Sequence, residues 1–190
     1  MKIQNASVGL AAAILVLASG LPLTANAGHT YQTANIVDFA SGVPVAGAGT
    51  LTRAMESATA AIHTTGLRKK AAYSIWWVVW NDPSVCMGGC GEDDLGVAGN
   101  SVFYAGGFVT GTDGTANVSV HVDAGDLADG IDVLIPGGLE TGNGLLAEIH
   151  LVIRSHGSII EGMADVQVGT YFGACDINKC TDDQAVVFLP

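Results

Sequence analysis

Basic residues are scarce in this chain of 190 residues: seven Lys and Arg stand against eighteen Asp and Glu, for a net charge of −11. No basic stripe exists to neutralise phosphates, which excludes nucleic acid as a partner. Charge of either sign is sparse at 13%, and aromatic residues make up only 6%. After the first residues no segment approaches the ~20 consecutive apolar positions of a membrane helix. No long window keeps the three-to-four spacing of an amphipathic helix. The catalytic signatures are missing as well. There is no Gly-x-Ser-x-Gly elbow, no His-Glu-x-x-His and no His-x-His, and the glycine run from Gly137-Gly138 to Gly144 lacks the Lys-Ser/Thr of a phosphate cradle. Ser155 and His156 are adjacent, and neighbours along a strand point to opposite faces. The sequence therefore gives no reason to expect an enzyme.

Residues 1–27 read as a secretory signal peptide. Lys2 supplies the positive start, Leu10 to Leu17 the apolar run and Ala25-Asn26-Ala27 the small-x-small cleavage site. Removing 27 of 190 residues leaves 163, with six basic and eighteen acidic residues, a net −12. That length suits one domain over residues 28–190. The expected location is outside the cytoplasm, periplasmic or extracellular.

Gly, Ala, Val and Thr dominate, a composition that favours short strands joined by turns. Strands are expected at Thr50–Met55, Thr59–Thr64, Ala72–Trp80, Ser101–Thr110, Thr115–Val122, Ile131–Ile135, Leu145–Arg154, Ala164–Val168 and Ala185–Leu189. Asp113-Gly114, between two strand-like runs, signals a hairpin. Ala116, Val118, Val120 and Val122 alternate with Asn117, Ser119 and His121. Leu145, Ala147, Ile149, Leu151 and Ile153 alternate with Glu148, His150 and Arg154. This two-residue period implies an antiparallel sheet with one face on a core and the other towards water. An all-β antiparallel sandwich of about eight or nine strands follows.

Leu67, Arg68-Lys69-Lys70 and then Tyr73 have the spacing of a tyrosine corner, in which the hydroxyl bonds to backbone upstream. Over about fifteen residues this resembles the corner of immunoglobulin-like and fibronectin type III domains, with basic residues in place of the proline-glycine turn. The resemblance implies a Greek-key arrangement. Larger blocks, Trp76-Trp77-Val78-Val79-x-Asn81-x-Pro83 with Cys86, Gly91-Glu92-x-Asp94-Leu95 and Glu148 through Gly157, resemble a group of secreted bacterial β-rich proteins with no assigned activity. That resemblance implies export and β-rich character, and nothing about mechanism.

Four cysteines, Cys86, Cys90, Cys175 and Cys180, lie in the exported part, where disulfides are the default. The local pairing, Cys86–Cys90 with Cys175–Cys180, needs only two tight loops. Cross-pairing of the two loops and a tetrathiolate zinc site are its rivals, although zinc knuckles usually hold two residues between cysteines. Bridges over such short loops constrain the unfolded chain little and serve to pin loop shape.

No cofactor is required by the sequence, and calcium is the one its acidic loops would accommodate. Asp123, Asp126, Asp129 and Asp132, with Gly125 and Gly130 between them, could gather oxygens around it, without matching the EF-hand spacing. Further acidic groups flank the cysteine loops: Asp82, Glu92, Asp93 and Asp94, then Asp176, Asn178, Asp182 and Asp183. His121 and His150 could hold copper or zinc only if their strands pair in register. Against each metal reading stands the plainer one of solvated loops and single surface histidines.

The run from Tyr73 to Trp80 carries the main functional expectation. Tyr73, Ile75, Trp77 and Val79 occupy one face, and Ser74, Trp76, Val78 and Trp80 the other. A sandwich strand needs one apolar face, and this one has two. Either the chain covers the second face, by Tyr31–Val45 or the 136–144 loop, or a partner does. The expectation is a non-catalytic binding or structural module that engages a protein or envelope polymer through Trp76, Trp77 and Trp80. Self-association through a C-terminal edge strand is an added option.

Overall fold

A computed structural model describes residues 28–86, 89–97, 99–126, 133–175 and 180–190. Segment 1–27, expected from the sequence to be a signal peptide, lies outside the described residues, as do Asp129, Asp132, Asp176 and Asn178. Ten strands are present among the described residues: β1 (Thr30–Ala34), β2 (Ile36–Asp38), β3 (Gly47–Ala54), β4 (Ser57–Thr64), β5 (Ala71–Trp80), β6 (Asn100–Val109), β7 (Ala116–Asp123), β8 (Val133–Ile135), β9 (Glu148–Ser158) and β10 (Thr181–Phe188). They form a four-stranded sheet, β1-β3-β4-β7, and a six-stranded sheet, β2-β10-β9-β5-β6-β8, with every pairing antiparallel. The fold is a β-sandwich.

The two-residue period places the core. Along β7, Ala116, Val120 and Val122 are buried while Asn117, Ser119, His121 and Asp123 are exposed. Tyr73, Ile75, Trp77 and Val79 of β5 and Ile149, Leu151 and Ile153 of β9 meet Leu51, Ala58, Ala60 and Ile62 of the opposing sheet. Leu139 of the 136–144 loop closes one end of this layer. Arg53 is buried inside it, where its guanidinium donates to the carbonyls of Ala147, Phe188 and Leu189 and to Gln32 Oε1. Burial pulls its pKa down to about 10 against the opposing field of Glu148.

Tyr73 Oη accepts the backbone N–H of Arg68 at 2.8 Å, the upstream bond that the Leu67–Tyr73 spacing anticipates. It donates at 3.2 Å to Asp183 on β10, and burial, with the Asp183 charge, pushes the phenol up to about 12.

Four expectations are corrected. The Asp113-Gly114 segment is no hairpin: β6 belongs to the six-stranded sheet and β7 to the four-stranded one, so the loop crosses between layers. It is held by bonds from Leu67 N to Gly114 O and from Lys70 N to Gly111 O. Gly114 has φ +73°, and a Cβ there would lie 2.3 Å from Leu67 O, so the Asp-Gly signal marks a tight crossing. Ala164–Val168 is no strand but lies in a short helix, α1 (Ala164–Gly169). Its alternating Ala, Val and Val imitate a strand, but the turn buries Gln167, which bonds to Ser158 O and Ile160 N. The last strand is not an edge: β10 lies between β2 and β9. That removes it as a site of strand addition. Finally, the second face of β9 is not open to water, since Glu148 and Arg154 are both buried. Strands β1 and β2, short and without a clean apolar period, were not foreseen.

Candidate functional site

Ser74, Trp76, Val78 and Trp80 project from the outer face of the six-stranded sheet, away from the sandwich interior. This face is covered by the chain itself. Trp76, Val78 and Trp80 form a second apolar cluster with Val102, Cys90, Cys86, Val97, Tyr104, Ile135, Val152 and Tyr171. Trp76, Trp77 and Trp80 are 0%, 1% and 2% exposed, so a broad bare aromatic surface does not exist in this structure. Trp77 belongs to the interior layer; only Trp76 and Trp80 belong to the outer one. The main cover comes from neither expected segment: it is the 83–97 loop on one side and the 164–175 segment on the other.

Strand β9 holds both pieces of cover. Each cysteine pair is closed locally, Cys86–Cys90 and Cys175–Cys180. Buried Glu148 accepts the backbone N–H of Cys90 at 3.1 Å and anchors the first loop. Arg154 anchors the second. Its guanidinium pairs with Asp182 at 2.6 Å, donates to the carbonyls of Tyr171 (2.8 Å) and Cys180 (3.3 Å), and stacks 3.7 Å over the Tyr171 ring. Helix α1 packs where β6 has Gly107, whose absent side chain leaves room for Val168: a Cβ there would lie 2.2 Å from Val168 O.

Between these loops the cover is incomplete. A cavity of about 240 Å³ opens there, floored by Trp76, Val78, Trp80 and Val152, with Tyr171, Leu95, Ile135 and Phe39 in its walls. Polar groups border it at His150, Glu92 and Asp182. His150 stands against Trp80, with ring centroids 4.7 Å apart, and its Nε2 lies 2.7 Å from Glu148 Oε1. Burial holds the imidazole below its ordinary pKa, and the Glu148 carboxylate opposes this in part. A neutral ring that donates from Nε2 leaves Nδ1 as an acceptor, and no partner for Nδ1 occurs among the described residues.

Deeper in the same face, Trp76 Nε1 donates to Ser74 Oγ at 2.9 Å, and Ser74 Oγ lies 2.9 Å from His156 Nε2. His156 Nδ1 is 2.8 Å from Gly173 O and 3.1 Å from Cys180 Sγ. Burial again depresses the imidazole pKa. The serine that meets His156 is thus Ser74 rather than its neighbour Ser155. Ser74 is fully buried, so no substrate carbonyl can reach this pair.

Of the expected metal ligands, the two histidines are not brought together. His121 is on β7 of the four-stranded sheet and His150 on β9 of the six-stranded sheet, so the in-register pairing that copper or zinc required does not occur. His121 instead bonds to Thr59 Oγ1 at 2.7 Å and to Asp123 at 3.0 Å. Asp126 is exposed, and the remaining two carboxylates of that loop lie outside the described residues. Near the cysteine loops, several acids hold turns or partners. Asp82 accepts from Ser84, Asp94 from Gly91 N, Asp182 pairs with Arg154 and Asp183 meets Tyr73.

Sequence reasoning missed Glu148, Arg154 and His156 as anchors. Their shared phase with His150 on one strand beside a two-faced tryptophan strand was the available signal. No helix among the described residues is long and apolar enough to cross a membrane. No protein-family description, no curated protein and no solved structure matches this chain.

Proposed function

We propose that this chain is an exported, non-catalytic binding module, immunoglobulin-like in its corner, whose ligand inserts one apolar group into the cavity above Trp76 and Trp80. The supporting observation is the cavity itself: about 240 Å³, mainly apolar and floored by two indoles, between loops that are each closed by a disulfide. An apolar cavity of roughly 150 Å³ is enough for benzene. This one takes a ring with a substituent, either in a free small molecule or in a group carried by a protein or envelope polymer. His150 supplies a directional contact beside its indole floor, an Nδ1 lone pair suited to a hydroxyl or N–H on the ligand. The pinned loops keep the cavity formed without ligand, which lowers the ordering cost of binding. The two disulfides agree with an oxidising compartment and with removal of residues 1–27.

The test uses N-phenyl-1-naphthylamine as an apolar fluorescent probe, with the purified protein and Val152→Trp, which fills the floor. Enhanced probe emission with saturation near one equivalent is expected, and at least about tenfold weaker binding for V152W at an unchanged urea midpoint. A wild-type protein that leaves the probe dark, or a V152W protein that binds it equally well, would sink the reading.

A further inference from the structure

The two local disulfides sit in unlike surroundings. Cys86–Cys90 borders an apolar cluster, and its chemical neighbour is the Glu148 carboxylate on the Cys90 amide. Cys175–Cys180 has an imidazole against it. His156 Nδ1 is 3.1 Å from Cys180 Sγ, and Nδ1 and the two sulfurs all lie within 4.8 Å of one another. Among the described residues this is the only trio of His, Cys, Asp or Glu side chains that converges so closely. His156 and Cys180 are buried, and Cys175 is half-buried at the mouth. The ring is fixed in orientation from its far side by Ser74 Oγ, itself held by the Trp76 indole. An oriented imidazole with a hydrogen-bonded second nitrogen is the usual outer support of a metal-binding histidine.

We propose that the reduced form of this loop is a binding site for one soft d10 cation, copper(I) or zinc(II), held by Cys175 Sγ, Cys180 Sγ and His156 Nδ1. The disulfide is the closed state of the site. A dithiol reductant passes two electrons and two protons to the S–S bond, becomes a disulfide itself and leaves two thiols. The cation then displaces both thiol protons to solvent and takes the two thiolates as ligands. In the disulfide form His156 Nδ1 donates its proton to Gly173 O at 2.8 Å. On binding, the cation takes the place of that proton, which moves to Nε2 towards Ser74 Oγ, and Nδ1 becomes the third ligand. An S₂N donor set without a carboxylate suits thiophilic ions. Three donors match copper(I) directly; zinc would complete four-coordination with water. This reading is independent of the apolar-ligand function: the cavity and the cation site use different side chains.

The experiment titrates copper(I) and, separately, zinc(II) into the full mature protein against chromophoric chelators, first with disulfides intact and then after anaerobic reduction by a phosphine. No binding is expected in the oxidised form. One equivalent is expected in the reduced form, with affinity lowered about tenfold or more in Cys175→Ser and in His156→Asn. A Cys86→Ser/Cys90→Ser protein keeps the full equivalent. Which titration shows the bound equivalent identifies the ion. Circular dichroism accompanies each step, and the reduced protein is expected to keep its β spectrum. Loss of the fold on reduction would overturn the proposal. So would absence of bound metal from a folded reduced protein, or binding that survives C175S and H156N but disappears with Cys86 and Cys90.

Discussion

Arg154→Met is the perturbation that best tests how the cover is held on the outer sheet face. Methionine keeps an apolar stem of similar reach and removes the guanidinium. Three polar contacts go at once: the 2.6 Å pair with Asp182 and the bonds to the carbonyls of Tyr171 and Cys180. The cation stacked 3.7 Å over Tyr171 goes with them. Stranding one member of a fully buried ion pair costs about 3–5 kcal/mol. The Asp182 side chain retains 18% exposure and recovers some hydration, which brings its share down. Cys180 is buried, so its carbonyl regains little water and adds about 1 kcal/mol. The sum is about 3 kcal/mol, or roughly 6–12 °C in midpoint for a domain of this size. Urea unfolding followed by tryptophan emission measures it. Because Trp76 meets Tyr171 edge-on at 5.0 Å, folded R154M should also show altered emission. The double variant R154M/D182N should recover about 1.5 kcal/mol relative to additivity, since no carboxylate is then stranded. A loss below about 1 kcal/mol for R154M, with additive behaviour in the double variant, would refute the clamp.

Three further outcomes are expected. Asp183 is raised in pKa, chiefly by burial, so its folded form favours the proton; the stability this gives is complete at low pH and lost as pH rises through the folded pKa. Asp183→Asn should therefore gain on the wild type in denaturation midpoint between pH 3 and pH 7, and a gain that shrinks over this range would contradict the assignment. His150 is depressed by burial, so stability from its neutral form is present above about pH 6.5 and is lost as pH falls towards the folded pKa. His150→Gln should flatten that acid-side slope by up to about 1.4 kcal/mol per pH unit, and an unchanged slope would assign the effect elsewhere. Gly107→Ala would press a Cβ to 2.2 Å from Val168 O; displacement of α1 at a cost of about 1–3 kcal/mol should appear as faster proteolysis near residues 164–175, and wild-type resistance would refute it.

Much of the sandwich was legible because its strands report local chemistry. The alternation of Ala116 to Val122 and the two apolar faces of Tyr73–Trp80 need only a two-residue period to be read. The Tyr73 bond to Arg68 spans five residues and is nearly as local. Pairing partners are another matter. Asp113-Gly114 marks a tight turn equally well within a sheet or between sheets, and only the competing partner β4 shows which. The candidate site was least legible because its contacts are long-range. Glu148 meets Cys90 across 58 residues, and His156 meets Cys180 across 24. An acid or a histidine that alternates with leucine reads as water-facing until the segment that covers it is known.

Strand β9 carries unlike chemistry on its two sides, aliphatic inward at Ile149, Leu151 and Ile153 and, apart from Val152, charged or imidazole outward. A slip of one residue would exchange them. Glu148 and Arg154 would enter the layer now filled by Ile149, Leu151 and Ile153, while both loops lost their moorings. The mispaired state would thus suffer two penalties, stranded charge and forfeited apolar burial, where an ordinary half-exposed ribbon suffers one. The strand acts as a ruler for assembly, resisting the out-of-step pairings from which aggregates of β proteins grow.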